Sequence, residues 1–257
     1  VDSNNLVITA TRNSTTYGSF ASNSNSAAAG AVLHDMAQNN TATGDMQNVL
    51  SELDTMSASE QIDAALQSVL PAVDNGVSQS SYASLNQFIN VSVSRLDNFQ
   101  EGLSQIEPGD VSKGKYDFTS TSPEIWAQGF GSYLHQDPMG SSNGYNATVW
   151  GTALGADIPA DKPVKIGASG GFAQNYVRTK DSSARTDVNS YQGALYYTYG
   201  WQDFFIDILP AFAFNTYNST RHVAVGAIDR IASGDYNGQQ YSAYVGCGYK
   251  MEIGKYL

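Results

Sequence analysis

Residues 190–201 read SYQGALYYTYGW, and their alternation decides the fold. Leu195, Tyr197, Tyr199 and Trp201 fall on one face, while Gln192, Ala194, Tyr196 and Thr198 fall on the other. A strand sends successive side chains to opposite sides, so this period of two predicts a strand with two unlike faces. Between Phe205 and Tyr217 the pattern returns, with Ile206, Ile208, Phe212 and Phe214 opposite Asp207, Ala211, Ala213 and Asn215. Between Tyr241 and Ile253 it sets Tyr241, Val245, Cys247, Tyr249, Met251 and Ile253 against Ser242, Tyr244, Gly246, Gly248, Lys250 and Glu252. Earlier, Lys165, Gly167, Ser169, Gly171 and Asn175 oppose Val164, Ile166, Ala168 and Phe172. Each time one face is greasy and the other small or polar. Six strands are expected, near 124–136, 144–158, 164–180, 188–202, 204–221 and 235–253. Asp161-Lys162 and Trp201-Gln202-Asp203 read as tight turns, and 137–143, 181–187 and 222–234 as longer polar loops.

Composition narrows the solvent for the greasy face. No run approaches the roughly 20 apolar residues of a membrane helix, so a membrane crossing must use strands. Charged residues make up 14% of the chain, tyrosines number 16 against 10 phenylalanines, and mean hydropathy is −0.30. Membrane barrels have such compositions, because alternation dilutes their hydrophobicity and aromatic residues collect at the interfaces. A net charge of −11 and a pI near 4.5 leave nothing to neutralise a row of phosphates, which argues against nucleic acid as a partner. The single cysteine, Cys247, has no partner for an internal disulfide and reads as a small apolar filler. The chain opens at Val1 in mid-pattern without a signal peptide, so it reads as a mature or truncated piece.

Upstream of the strands the period changes. Residues 1–43 begin with a short strand, Leu6-Val7-Ile8-Thr9-Ala10, and pass into a Ser/Asn/Ala-rich stretch like the edge of a β-solenoid, with a helix expected over Ser26–Gln38. Residues 44–109 read as helical. Met46, Val49, Leu50, Leu53 and Met56 keep helical spacing, Ser57-Ala58-Ser59-Glu60 has the form of a capping box, and Ile62, Ala65, Leu66, Val69 and Leu70 continue the stripe to Pro71. A last helix near 81–105 sets Leu85, Phe88, Ile89, Leu96 and Phe99 on one side, with Asn86, Asn90, Ser94 and Arg95 elsewhere. It is more polar than a core helix should be. Residues 110–123 are a Gly/Ser/Lys/Asp-rich linker into the strand region, 124–257.

Charges on the strands point the same way. An Arg or Lys near the middle of a bilayer costs about 2–4 kcal/mol on the lipid side, so Lys165, Asp207, Arg221, Lys250 and Glu252 are expected to face inward with Ser169. Gly167-Ala168-Ser169-Gly170-Gly171 matches the G-x-S-x-G pattern of serine hydrolases. A nucleophile elbow needs a strand followed at once by a helix, whereas strand alternation here runs on through Ser169 to Tyr176. The expectation is a strand serine, no catalytic residue and no enzyme. Three histidines and one cysteine without close spacing predict no metal site and no cofactor.

The sequence of parts resembles the autotransporters of type V secretion in Gram-negative bacteria. Trp126–Tyr133 (WAQGFGSY), Gly151–Asp157 (GTALGAD), Ile166–Phe172 (IGASGGF), Ser190–Tyr196 (SYQGALY), Tyr217 with Arg221, and Gly234-Asp235-Tyr236 before Tyr241-Ser242-Ala243 carry the resemblance, which covers Trp126 to Tyr249. It implies a mainly β fold: an antiparallel transmembrane β-barrel of about 12 strands when complete, about six of them here, preceded by an α-helical linker and a pore helix. On that pattern a full barrel would need on the order of 120 further residues. The helix at 81–105 stands where the family threads its pore helix, which would account for its polar flanks. The implied function is an outer-membrane translocator that exports or displays its own N-terminal passenger at the cell surface. Its implied partners are outer-membrane lipid, lipopolysaccharide, the barrel-assembly machinery and that passenger. Two alternatives stand beside it: a soluble all-β adhesion or binding protein, and a barrel-anchored surface esterase.

Some relatives cut themselves within the pore helix at an Asn-Asn bond. Here the Asn pairs are Asn4-Asn5 and Asn39-Asn40, both outside that helix. N-terminal sequencing of material released by cells should therefore place no cut within 81–105.

Overall fold

The computed structural model describes residues 15–70, 75–104, 124–139, 143–159, 164–180, 183–201 and 204–249. The expected strand at Leu6–Ala10, the linker at 110–123, and Lys250 and Glu252 lie outside the described residues. Four helices, α1 (Ser24–Gln38), α2 (Asp45–Thr55), α3 (Ser59–Val69) and α4 (Gly76–Ser104), precede six strands. The strands are β1 (Glu124–Gln136), β2 (Tyr145–Pro159), β3 (Val164–Thr179), β4 (Ala184–Trp201), β5 (Phe204–Val225) and β6 (Ile228–Tyr249). They fold into two compact units.

The first unit joins α1–α3 to the tip of the β5–β6 hairpin. Asn23 starts α1 by accepting the N–H groups of Asn25 and Ser26, both at 3.0 Å, two donors that a helix start otherwise leaves unpaired. Gly30 lets α1 lie directly on the Gly18 backbone, where a Cβ would collide. The helical stripes then meet: Tyr17, Leu33, Leu50, Leu53, Ile62, Ala65, Leu66 and Val225 form one buried cluster. The capping box at Ser57–Glu60 does not form. The chain stays extended through Met56 and Ala58, α3 starts at Ser59 with Ala58 as its N-cap, and no side chain caps it. A hydrogen bond and the positive charge of Arg230 hold the Asp45 carboxyl below the usual carboxylate range. That contribution is present above the ordinary carboxylate pKa of about 3.9 and is lost as pH falls through the lowered value.

The second unit is the sheet with α4 against it. The six strands form an antiparallel meander in the order β1-β2-β3-β4-β5-β6. Register is continuous, for example Trp126↔Gly155, Gly155↔Ser169 and Ser169↔Ala194. The alternation read from residues 190–201 is present: Gln192, Ala194, Tyr196 and Thr198 are buried, whereas Tyr191, Leu195 and Tyr197 are exposed. α4 begins at Gly76, five residues before the expected start, and packs against the buried face.

Parts of two expected loops are strand. β4 already begins at Ala184, and 222–234 is not a polar loop but the end of a hairpin, with strands running to Val225 and from Ile228. Only Gly226 and Ala227 turn the chain. Gly226 has φ +57, which an L side chain rarely adopts, and Ala227 keeps a negative φ, the φ pattern of a type II′ turn.

The buried face of the sheet is paved with glycine. Aromatic rings cover these glycines: Phe130 over Gly151, Trp126 over Gly155, Tyr196 over Gly167 and, from α4, Phe88 over Gly171. A Cβ on Gly171 would stand 2.7 Å from Phe88 Cδ2, so Gly171→Val should cost about 1–3 kcal/mol by overpacking. Gly170 lies on the opposite face with its nearest neighbour, Gln192 O, at 3.9 Å, so Gly170→Ala should stay within about 0.5 kcal/mol. Urea unfolding followed by tryptophan fluorescence measures both. Equal effects would mean that the helix is not closely seated.

Candidate functional site: the helix seat

The site is the buried face of the sheet together with α4. Leu85, Phe88, Ile89, Val91 and Leu96 of the helix form one cluster with Trp126, Ala153, Ala194, Tyr196, Leu209, Ala211 and Ala213 of the strands. The strand side is mostly alanine, which leaves room for a helix backbone to come close.

The helix brings serines as well. Ser80, Ser81, Ser84 and Ser92 are all at most 1% exposed, so the polar residues of α4 point into the packing as often as out of it. Ser92 Oγ lies 2.9 Å from Ser169 Oγ, and Gln192 Nε2 donates to Ser84 Oγ (2.8 Å) and Ser190 Oγ (3.1 Å). Ser81 reaches the Tyr217 hydroxyl at 3.4 Å. Ser81 and Ser92 also donate to the helix carbonyls of Val77 and Phe88, so these buried hydroxyls escape the cost of about 1–3 kcal/mol that an unmade bond would carry.

At the C-terminal half of α4 a charged cluster forms. Arg95 Nη2 lies 2.9 Å from Glu124 Oε2 and 3.6 Å from Asp157 Oδ2. Lys165 pairs with the Asp157 carboxylate and stands 4.0 Å from Glu124 Oε2. The Asp157 side chain is 0% exposed, so its charge is matched entirely by protein. Beside it, Trp126 Nε1 donates to the Tyr196 hydroxyl (3.1 Å), which donates in turn to Ala156 O (3.4 Å).

Among the residues singled out from sequence, Lys165, Ser169, Leu85, Phe88, Ile89, Arg95 and Leu96 therefore meet in one place. Asp207 is 1% exposed on the buried face of β5, in step with Leu209, Ala211 and Ala213. Arg221 is elsewhere: it belongs to the first unit and donates to the backbone carbonyls of Val69 (3.1 Å) and Leu70 at the end of α3. The Phe99 side chain, with Lys250 and Glu252, lies outside the described residues. Ser169 sits in a strand unbroken from Val164 to Thr179 and shares a hydrogen bond with a helix serine, so no strand-to-helix elbow exists there.

Sequence reading missed Asp157, Glu124, Trp126 and Tyr196 as site residues. Asp157 had a signal: it shares parity with Ala153 and Gly155, and the pair Asp157↔Gly167 makes it the diagonal neighbour of Lys165. Glu124 and Arg95 are joined only by tertiary folding, and nothing local announces them.

The chain is 28% identical over 150 residues to outer membrane protein B of Rickettsia japonica, a match covering 55% of this chain and 9% of that protein. It is 31% identical over 91 residues to outer membrane protein B of Rickettsia conorii, covering 35% of this chain and 6% of that protein. The chain thus spans less than a tenth of the length of these relatives. A solved structure, the beta domain of the Bordetella autotransporter BrkA, is similar with a TM-score of 0.39 and 20% identity, covering 52% of this chain and 51% of that one. The model of the autotransporter beta-domain matches residues 125–257, the whole strand region from Ile125 onward. The chain belongs to the autotransporter family, and its strand region is that family's outer-membrane beta-domain.

Proposed function

We propose that β1–β6 are membrane-spanning strands of a translocator that exports its own N-terminal passenger and displays it at the cell surface. In this reading α4 is the pore helix, and Lys165, Ser169 and Asp207 face the lumen. Outer-membrane lipid and lipopolysaccharide bathe the outer face, and the barrel-assembly machinery inserts the strands. One observation carries the proposal. Along the exposed face, from Thr152 to Ile158, Ile166 to Tyr176, Tyr191 to Tyr199, Phe204 to Phe214 and Tyr241 to Tyr249, no residue is charged. Leu154 is 61% exposed there, Leu195 64% and Val245 67%. Water would penalise so continuous an apolar surface, and hydrocarbon would not. Strands of 13 to 22 residues exceed the roughly 9–11 that a tilted strand needs to cross a bilayer.

The chain should fractionate with outer membranes and migrate differently on unboiled and boiled gels. Leu195→Arg should cost about 2–4 kcal/mol if the site lies near the midplane, and should reduce the heat-modifiable form. A chain recovered wholly from the periplasm would overturn the proposal.

The charged cluster gives a second test, of the buried pairing between β2 and β3 beneath α4. Asp157→Ala would leave Lys165 and Arg95 short of a buried counter-charge, a loss of about 3–5 kcal/mol. Asp157→Leu combined with Lys165→Met removes both partners and should recover most of that loss. Urea unfolding of the detergent-folded chain measures the cycle; a double variant no better than the single would refute the coupling.

A further inference from the structure

Residues 13–94 contain no lysine or arginine, yet within the first unit the helices carry Asp35, Asp45, Glu52, Asp54, Glu60 and Asp63. Such a stretch cannot form a Lys or Arg ion pair within itself. Its helices are also short: 15, 11 and 11 residues, lengths at which an isolated helix is marginal in water. The tip of the β5–β6 hairpin supplies what is missing. Arg230 pairs with Asp45 in the first turn of α2 at 2.5 Å. Arg221 donates to the Val69 and Leu70 carbonyls, which α3 leaves unpaired at its C-terminal end, where a cation also opposes the helix dipole. Ser68 Oγ donates to Ala224 O at 2.7 Å. In return, Glu52 of α2 accepts the Ala227 N–H of the hairpin turn at 3.0 Å. Val225 is 0% exposed within the helical cluster, with Val223 and Ile228 packed against it.

From this geometry we infer that the β5–β6 hairpin tip is the folding seat of helices α1–α3: the acid-only segment acquires stable structure on meeting the hairpin, not before. Arg230–Asp45 is an exposed pair, 56% and 73%, worth little alone; it aligns the segment, while the α3 end cap and Val225 hold it. The inference rests on packing within the first unit. It does not depend on the translocator reading.

The test is limited proteolysis of the purified, folded full chain, with heat-modifiable mobility as the check on the sheet. Replacing residues 220–233 with Asn-Gly shortens the hairpin and removes the seat. Cleavage within 15–70 should then accelerate at least about tenfold while heat-modifiable mobility persists, since cleavage follows the population of the open form. Arg230→Asp alone should accelerate cleavage about two- to fivefold, and combining it with Asp45→Arg should restore the parent rate. Parent-like protection after the hairpin is shortened, or no rescue by the exchanged pair, would overturn the inference. Fractionation of the parent chain outside the outer membrane would overturn the translocator reading and leave this one standing.

Discussion

The sheet's sidedness is the constraint on which the rest depends. In a water-soluble β protein the large apolar side chains turn toward the core and the small or polar ones toward solvent. Here the covered side bears Gly151, Gly155, Gly167, Gly171, Ala153, Ala173 and Ala194, and the exposed side bears Leu154, Ile166, Phe172, Leu195 and Phe212. The inversion makes sense if hydrocarbon is the outer solvent and a helix the inner filling. Small residues inside let α4 come close, and large ones outside suit hydrocarbon.

A covered face of this kind carries a polar load. The serines of α4, together with Ser169, Gln192, Asp157 and Lys165, are removed from water, and each unpaired group would cost as much as several good contacts gain. Ser92 with Ser169, Ser84 with Gln192 and Arg95 with Asp157 pair across the helix–strand boundary, so the helix cannot rotate without breaking several at once. Apolar packing of Phe88 over Gly171 sets the distance, and the polar pairs set the rotation. Backbone groups obey the same rule. β1 and β6 are the two edges of the six-stranded sheet, and hydrocarbon offers nothing to their N–H and C=O groups, so membrane residence requires both edges to be paired.

Much of this was legible because period-two alternation is a local property. Residues 190–201 state their two faces without reference to any other part of the chain, and the same holds for β3, for β5 from Phe205 to Tyr217 and for the end of β6. The helix seat was half legible. The polar flanks of α4 signalled an unusual environment, but which serine meets which strand depends on register and on helix rotation, neither of which is written in the helix itself. Glu124 and Arg95, 29 positions apart, meet only after the sheet has formed. The capping box at Ser57–Glu60 was misleading for the opposite reason: the local signal was correct in form, and the extended approach through Ala58 prevailed over it.

The hairpin tip was misread for a reason that bears on its role. Residues 222–234 mix Val223, Val225, Ile228 and Ile231 with His222, Asp229 and Arg230, so neither face is uniformly apolar, and a strand meant for lipid should not look like that. The premise was at fault. This part of β5 and β6 packs within the first unit, where Val225 enters a helical core and Arg221 and Arg230 meet acidic or carbonyl groups. One pair of strands thus presents two chemistries along its length, uncharged and apolar where lipid would lie, mixed where helices pack.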